Sequence, residues 1–445
     1  MTISNPKLLF WSITAALAGF LFGFDTVVIS GAEQKIQAVW KLSPAMHGLA
    51  ISMALWGTVL GSIIGSWPTD HFGRKKTLLW IGMLYLVSAA WSSLATDVYS
   101  FMIARFIGGL GVGISTVAAP LFISEIAPAE RRGQLVGMFQ FNIVFGILVA
   151  FVSNHLLIGF GENAWRWMLG VEVLPALTYS LMCMRLPESP RWLICRKGDR
   201  QGAVAVLRQI HPGATDVEVS AKADEIANAA YEAKDTGGFW TKRLKTPITL
   251  AILIAFFNQL SGINAILYFA PRIFELTGLG AKVALLQAVG IGVTNLIFTF
   301  IGVWLIDRLG RRTLLYIGSF GYIASLGLCA WAFYSENLGI VPVCIFAFIA
   351  AHAVGQGAVI WVFISEIFPN RHRAQGQSLG SFTHWIFAAL LTLFFPSLVE
   401  MFHPAMVFGF FTFMMIVQLV WVRLMVPETK GLSLEQIEHA LGIPK

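Results

Sequence analysis

The sequence predicts an all-α membrane protein of about twelve spanning helices, arranged as two six-helix bundles related by a parallel repeat. Three observations predict it: a succession of apolar runs of membrane length, basic residues crowded into alternate loops, and three motifs that recur at one offset. Of the 445 residues 56% are hydrophobic and 12% charged, and the mean hydropathy is +0.71. Soluble domains carry about 25% charged residues.

The runs come first. Leu8 to Ser30, Gly48 to Trp67, Gln134 to Ile158 and Val341 to Ile364 are nearly uncharged. Each has the length of about twenty residues that crosses a ~30 Å hydrocarbon core. Such runs end near residues 31, 67, 95, 123, 158, 184, 276, 306, 334, 364, 399 and 426. A backbone in lipid must satisfy its own hydrogen bonds, so the runs are helices and not open strands. The 42 glycines and 17 prolines fit membrane helices, which tolerate both. Only Lys7 precedes the first run and no small-residue cleavage site follows, so it reads as a retained span and not a signal peptide.

The loops set the expected orientation. Arg74-Lys75-Lys76, Arg131-Arg132, Arg185 to Arg200, Lys242 to Lys245, Arg308 to Arg312 and Arg371 to Arg373 fall in every second loop. The intervening loops hold few cations, such as Lys35, Lys41 and Lys282. By the positive-inside rule the basic loops and both termini are cytoplasmic. The net charge of +7 is therefore topological and excludes a nucleic-acid partner. Cys183, Cys195, Cys329 and Cys344 show no metal spacing, and no nucleophile–base set lies within the spans, so neither an enzyme nor a metal or cofactor site is expected. The absence of an N-x-[ST] acceptor favours a bacterial plasma membrane.

The repeat comes next. Asp70-His-Phe-Gly-Arg74-Lys matches Asp307-Arg-Leu-Gly-Arg311-Arg at an offset of 237; Ser124-Glu125-Ile-x-Pro matches Ser365-Glu366-Ile-x-Pro at 241; Pro187-Glu188-Ser matches Pro427-Glu428-Thr at 240. Three matches in one order imply duplication. The expected domains are a bundle at 1–190, a cytoplasmic helical linker at 191–247, a second bundle at 248–426 and a tail at 427–445. A solute site is expected near the midplane between the two bundles. Asp199 to Gln209 and Asp216 to Tyr231 read as amphipathic helices, and Ser433-Leu-Glu-Gln436 as a capping box. The Asp-x-x-Gly-Arg loop aims a guanidinium at a neighbouring helix end. Arg132 and Arg373 lie seven residues beyond Glu125 and Glu366. Asp70, Arg74, Glu125, Arg132, Glu188, Arg191, Asp307, Arg311, Glu366, Arg373 and Glu428 are thus either a cytoplasmic gate or solvated topology signals.

With Arg105-Phe-Ile-Gly-Gly, Pro187-Glu-Ser-Pro-Arg191 and Pro427-Glu-Thr-Lys-Gly431, the chain resembles the sugar porter family of the major facilitator superfamily from about Gly19 to Gly431. The resemblance implies two six-helix bundles alternating access around one sugar site, with a monosaccharide (hexose or pentose) as partner and no cofactor. It implies sugar contacts from Phe22, Gln140, Gln259, Asn264, Asn295, Trp361 and Trp385, and an outer closure at Tyr268. Elementary chemistry agrees, because hydroxyls need amide donors and acceptors while apolar sugar faces suit aromatic rings. The sequence departs from the pattern at Asn258, in place of a glutamine, at Ile147, and at His384 beside Trp385. Gly357 to Trp361 lacks the usual proline, so helix 10 is expected to bend less there.

Asp25 is a carboxylate inside a span, which is costly unless paired or functional. The resemblance matches it to the proton-carrying aspartate of the symporters and Arg105 to its partner. Two readings remain open: proton–sugar symport through Asp25, or a facilitated sugar or polyol (inositol) uniporter in which Asp25 and Arg105 are structural. A signalling receptor is disfavoured by the short linker and tail. The expected setting is a multi-pass, monomeric protein of the bacterial inner membrane.

Overall fold

The computed structural model describes residues 5–128, 131–232, 238–369, 372–432, 436–437 and 441. Ser433 to Glu435 of the expected capping box, Arg371 and the side chain of Arg132 lie outside the described residues. From the N-terminus come α1 (Pro6–Val28), α2 (Glu33–Val39), α3 (Pro44–Ile64), α4 (Ser66–His71), α5 (Arg74–Leu94), α6 (Val98–Ile126) and α7 (Arg132–Leu157). Next are α8 (Ala164–Gly170), α9 (Val173–Cys183), α10 (Pro190–Trp192), α11 (Arg200–Ile210) and α12 (Asp216–Glu232). There follow α13 (Lys245–Leu260), α14 (Ile263–Tyr268), α15 (Ala270–Glu275), α16 (Ala281–Leu309) and α17 (Arg311–Tyr334). Last are α18 (Val341–Val354), α19 (Gln356–Ile367), α20 (Arg373–Met401) and α21 (Pro404–Met425).

Among the described residues, 11 helical stretches are long and apolar enough to cross a membrane. The run ending near residue 184 is the remaining expected span, and it is split. Its first piece stops at Gly170 and its second starts at Val173, with fully buried Glu172 in the gap. Two other spans are also interrupted. The seventh turns at Gly262, which holds φ +87°, and again where α14 gives way to α15 before Pro271. The tenth breaks at Gly355, between α18 and α19, six residues before Trp361. Despite the missing proline, then, helix 10 is interrupted, with the break on the N-terminal side of the segment expected to bend less.

The chain forms two compact units. The first comprises Met1–Thr26, Trp56–Ala150 and Leu169–Thr236. In it α5 packs on α6 and α9, and the linker helix α11 packs on α12. A strip of small residues brings α3 against α6: a Cβ at Gly57 would run into the Phe106 carbonyl, and one at Gly61 into the region of Leu110 and Gly113. Lipid tails are as apolar as leucine, so such close backbone packing replaces hydrophobic burial as the force between spans.

The second unit comprises Val27–Leu55, Phe151–Met168 and Gly237–Lys445. Here α17 packs on α18 and α21, α13 on α20, and α16 on α18. Phe300, Trp304 and Leu424 are exposed on its helices, as lipid-facing positions require.

The duplicated turn has a steric cause. Gly73 and Gly310 hold φ of +93° and +92°, and each sits against the carboxylate of Glu188 or Glu428. Gly310→Ala should lower stability by about 1–2 kcal/mol for the left-handed backbone alone. Thermal melting in detergent checks this, and an unchanged melting temperature would show that the turn relaxes at no cost.

Candidate functional site

The first unit holds a buried charge cluster. Asp25 lies in α1 and Arg105 in α6, each 1% exposed. Arg105 Nη1 donates to Asp25 Oδ1, while Nη2 donates to the Asp25 backbone carbonyl at 2.9 Å and to Oδ2 at 3.3 Å. Glu172, at the head of α9, is a third buried ionisable group within electrostatic reach of both, and fully buried Tyr85 of α5 shares that neighbourhood. Glu172 Oε1 has no hydrogen-bond partner among the described residues. Two buried carboxyl groups thus share the neighbourhood of one guanidinium, and the group is neutral when one of the two carries a proton. Glu172 was legible as a lone acid in an apolar run (Gly170-Val-Glu172-Val-Leu), but only the fold brings it to Asp25.

The second unit holds an amide–histidine cluster at the end of α13. Gln259 Nε2 donates to Asn258 Oδ1 at 3.0 Å and lies 3.2 Å from both ring nitrogens of His384 in α20. Asn264 Nδ2, beyond the Gly262 turn, donates to Gln259 Oε1 at 2.7 Å. Both amide hydrogens and the carbonyl of Gln259 are therefore engaged by protein. Rings enclose the cluster: Trp361 and His384 have centroids 5.2 Å apart, and His384 and Trp385 4.7 Å, edge to face. Trp361 is half-buried, while Trp385 and Tyr268 are buried. Asn295, on α16, accepts from Thr299 in its own helix at 3.5 Å. Phe22 and Gln140, both half-buried, lie in α1 and α7 of the first unit.

The duplicated motifs form two Arg-centred clusters of matching geometry. Arg74 forks onto Glu125 through Nε and Nη2, both at 2.9 Å, and reaches Asp70 at 3.2 Å. Glu188 Oε1 accepts the backbone N–H groups of Arg74 at 2.8 Å and Lys75 at 3.2 Å. In the second unit Arg311 forks onto Glu366 at 3.0 and 2.7 Å and reaches Asp307 at 3.3 Å. Glu428 accepts the backbone N–H groups of Arg311 at 2.8 Å and Arg312 at 3.0 Å. Burial pushes the Glu188 carboxyl up, against the pull of the N–H groups of Ser189, Lys75 and Arg74.

Among the described residues, the cations on Glu125 and Glu366 are those of the Asp-x-x-Gly-Arg loops. Arg373, at the start of α20, makes no ion pair among the described residues, and Arg191 is exposed. Asp70 has two further partners that motif reading missed, Arg196 Nη2 at 2.9 Å and Trp192 Nε1 onto its backbone carbonyl at 2.7 Å. Thr429 Oγ1 likewise donates to Glu366 at 2.7 Å.

The profile of the family described as Sugar (and other) transporter matches residues 11–441. The chain belongs to this family. It is 36% identical over 435 residues to the arabinose-proton symporter of Bacillus subtilis (strain 168), covering 96% of this chain and 93% of that protein. It is 32% identical over 466 residues to the D-xylose-proton symporter of Escherichia coli (strain K12), with coverages of 96% and 94%. The structure of the major facilitator superfamily proton:xylose symporter XylE bound to 6-bromo-6-deoxy-D-glucose superposes with a TM-score of 0.80 at 31% identity, covering 98% of this chain and 99% of that one. The family member described here is accordingly a multi-pass membrane transporter with the twelve-helix major facilitator fold, and not an enzyme.

The charge cluster predicts an asymmetry between its members. Arg105→Met leaves two buried carboxylates without a cation and should destabilise by about 3–5 kcal/mol. Asp25→Asn leaves Glu172 for the guanidinium and should cost clearly less. Equal melting temperatures for the two variants in detergent would count against a shared cluster.

Proposed function

We propose that this transporter moves a monosaccharide, a hexose or pentose, inward together with a proton across a bacterial inner membrane. The observation that carries the proposal is the buried count of two carboxylates, Asp25 and Glu172, against one guanidinium, Arg105. A dry site with one surplus negative charge favours taking up a proton, and the proton changes which partner Arg105 holds. A conformational preference that depends on that proton couples it to access. The relatives named as proton symporters of arabinose and xylose support the same reading. The amide–histidine cluster around Gln259 supplies hydroxyl partners, and Trp361 and Trp385 supply apolar faces. By the resemblance Gln140, Phe22, Asn295 and Tyr268 also serve the sugar, and the two Arg-centred clusters serve the cytoplasmic gate. The working unit is a monomer with both termini in the cytoplasm. The moving bodies are bundles 1–190 and 248–426, joined by the linker at 191–247.

A proton falling through the membrane potential contributes roughly 2.3 kcal/mol per 100 mV. That supports on the order of 40-fold accumulation, whereas a uniporter only equalises concentrations. Proteoliposomes given an inward proton gradient should concentrate sugar, and sugar addition should alkalinise the outside. Asp25→Asn should abolish accumulation and keep sugar binding. Uptake that never exceeds equilibration under a verified gradient would leave the facilitator, in which the closed Asp25–Arg105 pair is structural.

Replacing Gln259 or Gln140 by Ala should weaken sugar binding by about 1–3 kcal/mol in calorimetry on purified protein. Unchanged affinity in both variants would move the sugar elsewhere. His384→Gln should reorder preference across a sugar panel more than it changes turnover, because a mismatched hydroxyl strands a buried polar group.

A further inference from the structure

Beyond the first span, at the end opposite the basic loops, the chain turns into the short helix α2, and Glu33 at its start is fully buried. Its carboxylate receives a guanidinium fork from Arg272 of α15, Nε to Oε1 at 3.0 Å and Nη2 to Oε2 at 2.8 Å. His47 of α3, fully buried as well, lies with Nε2 2.7 Å from Oε2, and facing a carboxylate acceptor that nitrogen is the donor. Arg272 Nη2 also donates to Gln37 Oε1. Positions 33 and 272 lie 239 residues apart in different copies of the repeat, yet these groups all belong to the second compact unit. The fork therefore ties the segment after the first span to the segment after the seventh.

The surroundings keep the Glu33 side of the fork dry, while Arg272 is half-buried. Phe269, fully buried one turn before Arg272, stacks on Phe395 at 5.0 Å and meets the His47 ring at 6.3 Å. A buried ion pair survives desolvation only with well-formed hydrogen bonds, and this one has them on both sides. Once water enters, the same attraction falls to the small value of an exposed pair. Such a contact holds while packed and releases when wetted. None of these residues belongs to the charge cluster, the amide cluster or the Arg-centred clusters.

We propose that Glu33 and Arg272, with His47 as support, latch this end of the transporter closed, and that the fork must part for this end to open. The proposal rests on the alternating-access reading above, but its test requires no sugar movement. Full-length protein with its four cysteines replaced by serine would carry Ile36→Cys, at a fully buried position of α2, as a reporter in proteoliposomes. A membrane-impermeant maleimide applied from the outer side then reads how often this end opens.

Glu33→Gln and Arg272→Gln should each label about tenfold faster than the parent. The double variant should label no faster than either single one, because both remove one interaction. Arg272→Lys, which keeps the charge and loses the fork, should fall between parent and Arg272→Gln and gives a readout if Glu33→Gln fails to fold. Parental rates in Arg272→Gln and Arg272→Lys, or effects that multiply in the double variant, would overturn the latch. Failure of the parent to bind any sugar would sink the functional reading and leave the labelling comparison standing.

Discussion

Inside a bilayer no water stands ready to complete a hydrogen bond, and this constraint organises the molecule. Each polar group drawn into the spans has to find its partner in protein. The Asp25–Arg105 pair, the Gln259–Asn264–His384 chain and the Glu33–Arg272 fork all answer that demand. Where a helix is interrupted, the interruption falls at such a place. Glu172 occupies the break of the sixth span, and Gln259 and Asn264 flank the Gly262 turn of the seventh. Irregular backbone is tolerated at membrane depth where protein surrounds it, so the breaks and the chemistry share positions.

The fold was largely legible because its two carriers, run length and charge placement, are local properties of sequence. The offset of 237 to 241 residues also foretold two turns of one geometry, and Gly73 and Gly310 differ by a single degree in φ. Pairing was less legible. Glu366 was read with a cation seven residues on, whereas the cation it holds lies 55 residues back in Arg311. A bidentate fork depends on where two helix ends meet in space, and spacing along one chain segment does not encode that. Glu33 and His47 stayed silent for the same reason: each sits in a short loop or at a helix end, where a charge ordinarily means solvent.

Arginine carries the geometry throughout. Arg74, Arg105, Arg272 and Arg311 each present a planar fork to a carboxylate, whereas the lysine pairs, such as Lys35 with Glu162 and Lys222 with Glu225, are single contacts with exposed partners. A fixed fork loses less freedom per bond and tolerates a low dielectric better than a flexible ammonium. Among the described residues the buried forks use arginine, which also serves exposed pairs such as Arg200 with Asp224, whereas the lysine pairs stay where water is at hand.

The engagement of both Gln259 amide hydrogens by protein bears on how tightly such a group can hold a newcomer. Both amide hydrogens are engaged, by Asn258 and His384, and one of the two carbonyl lone pairs accepts from Asn264. A hydroxyl that took either amide hydrogen would displace a protein partner, and enthalpy would then change by the small difference between two similar bonds and not by a whole bond. Such exchange chemistry keeps the bound and empty states close in energy. For a molecule that must surrender on one side what it collects on the other, a shallow well at any such polar group shortens residence.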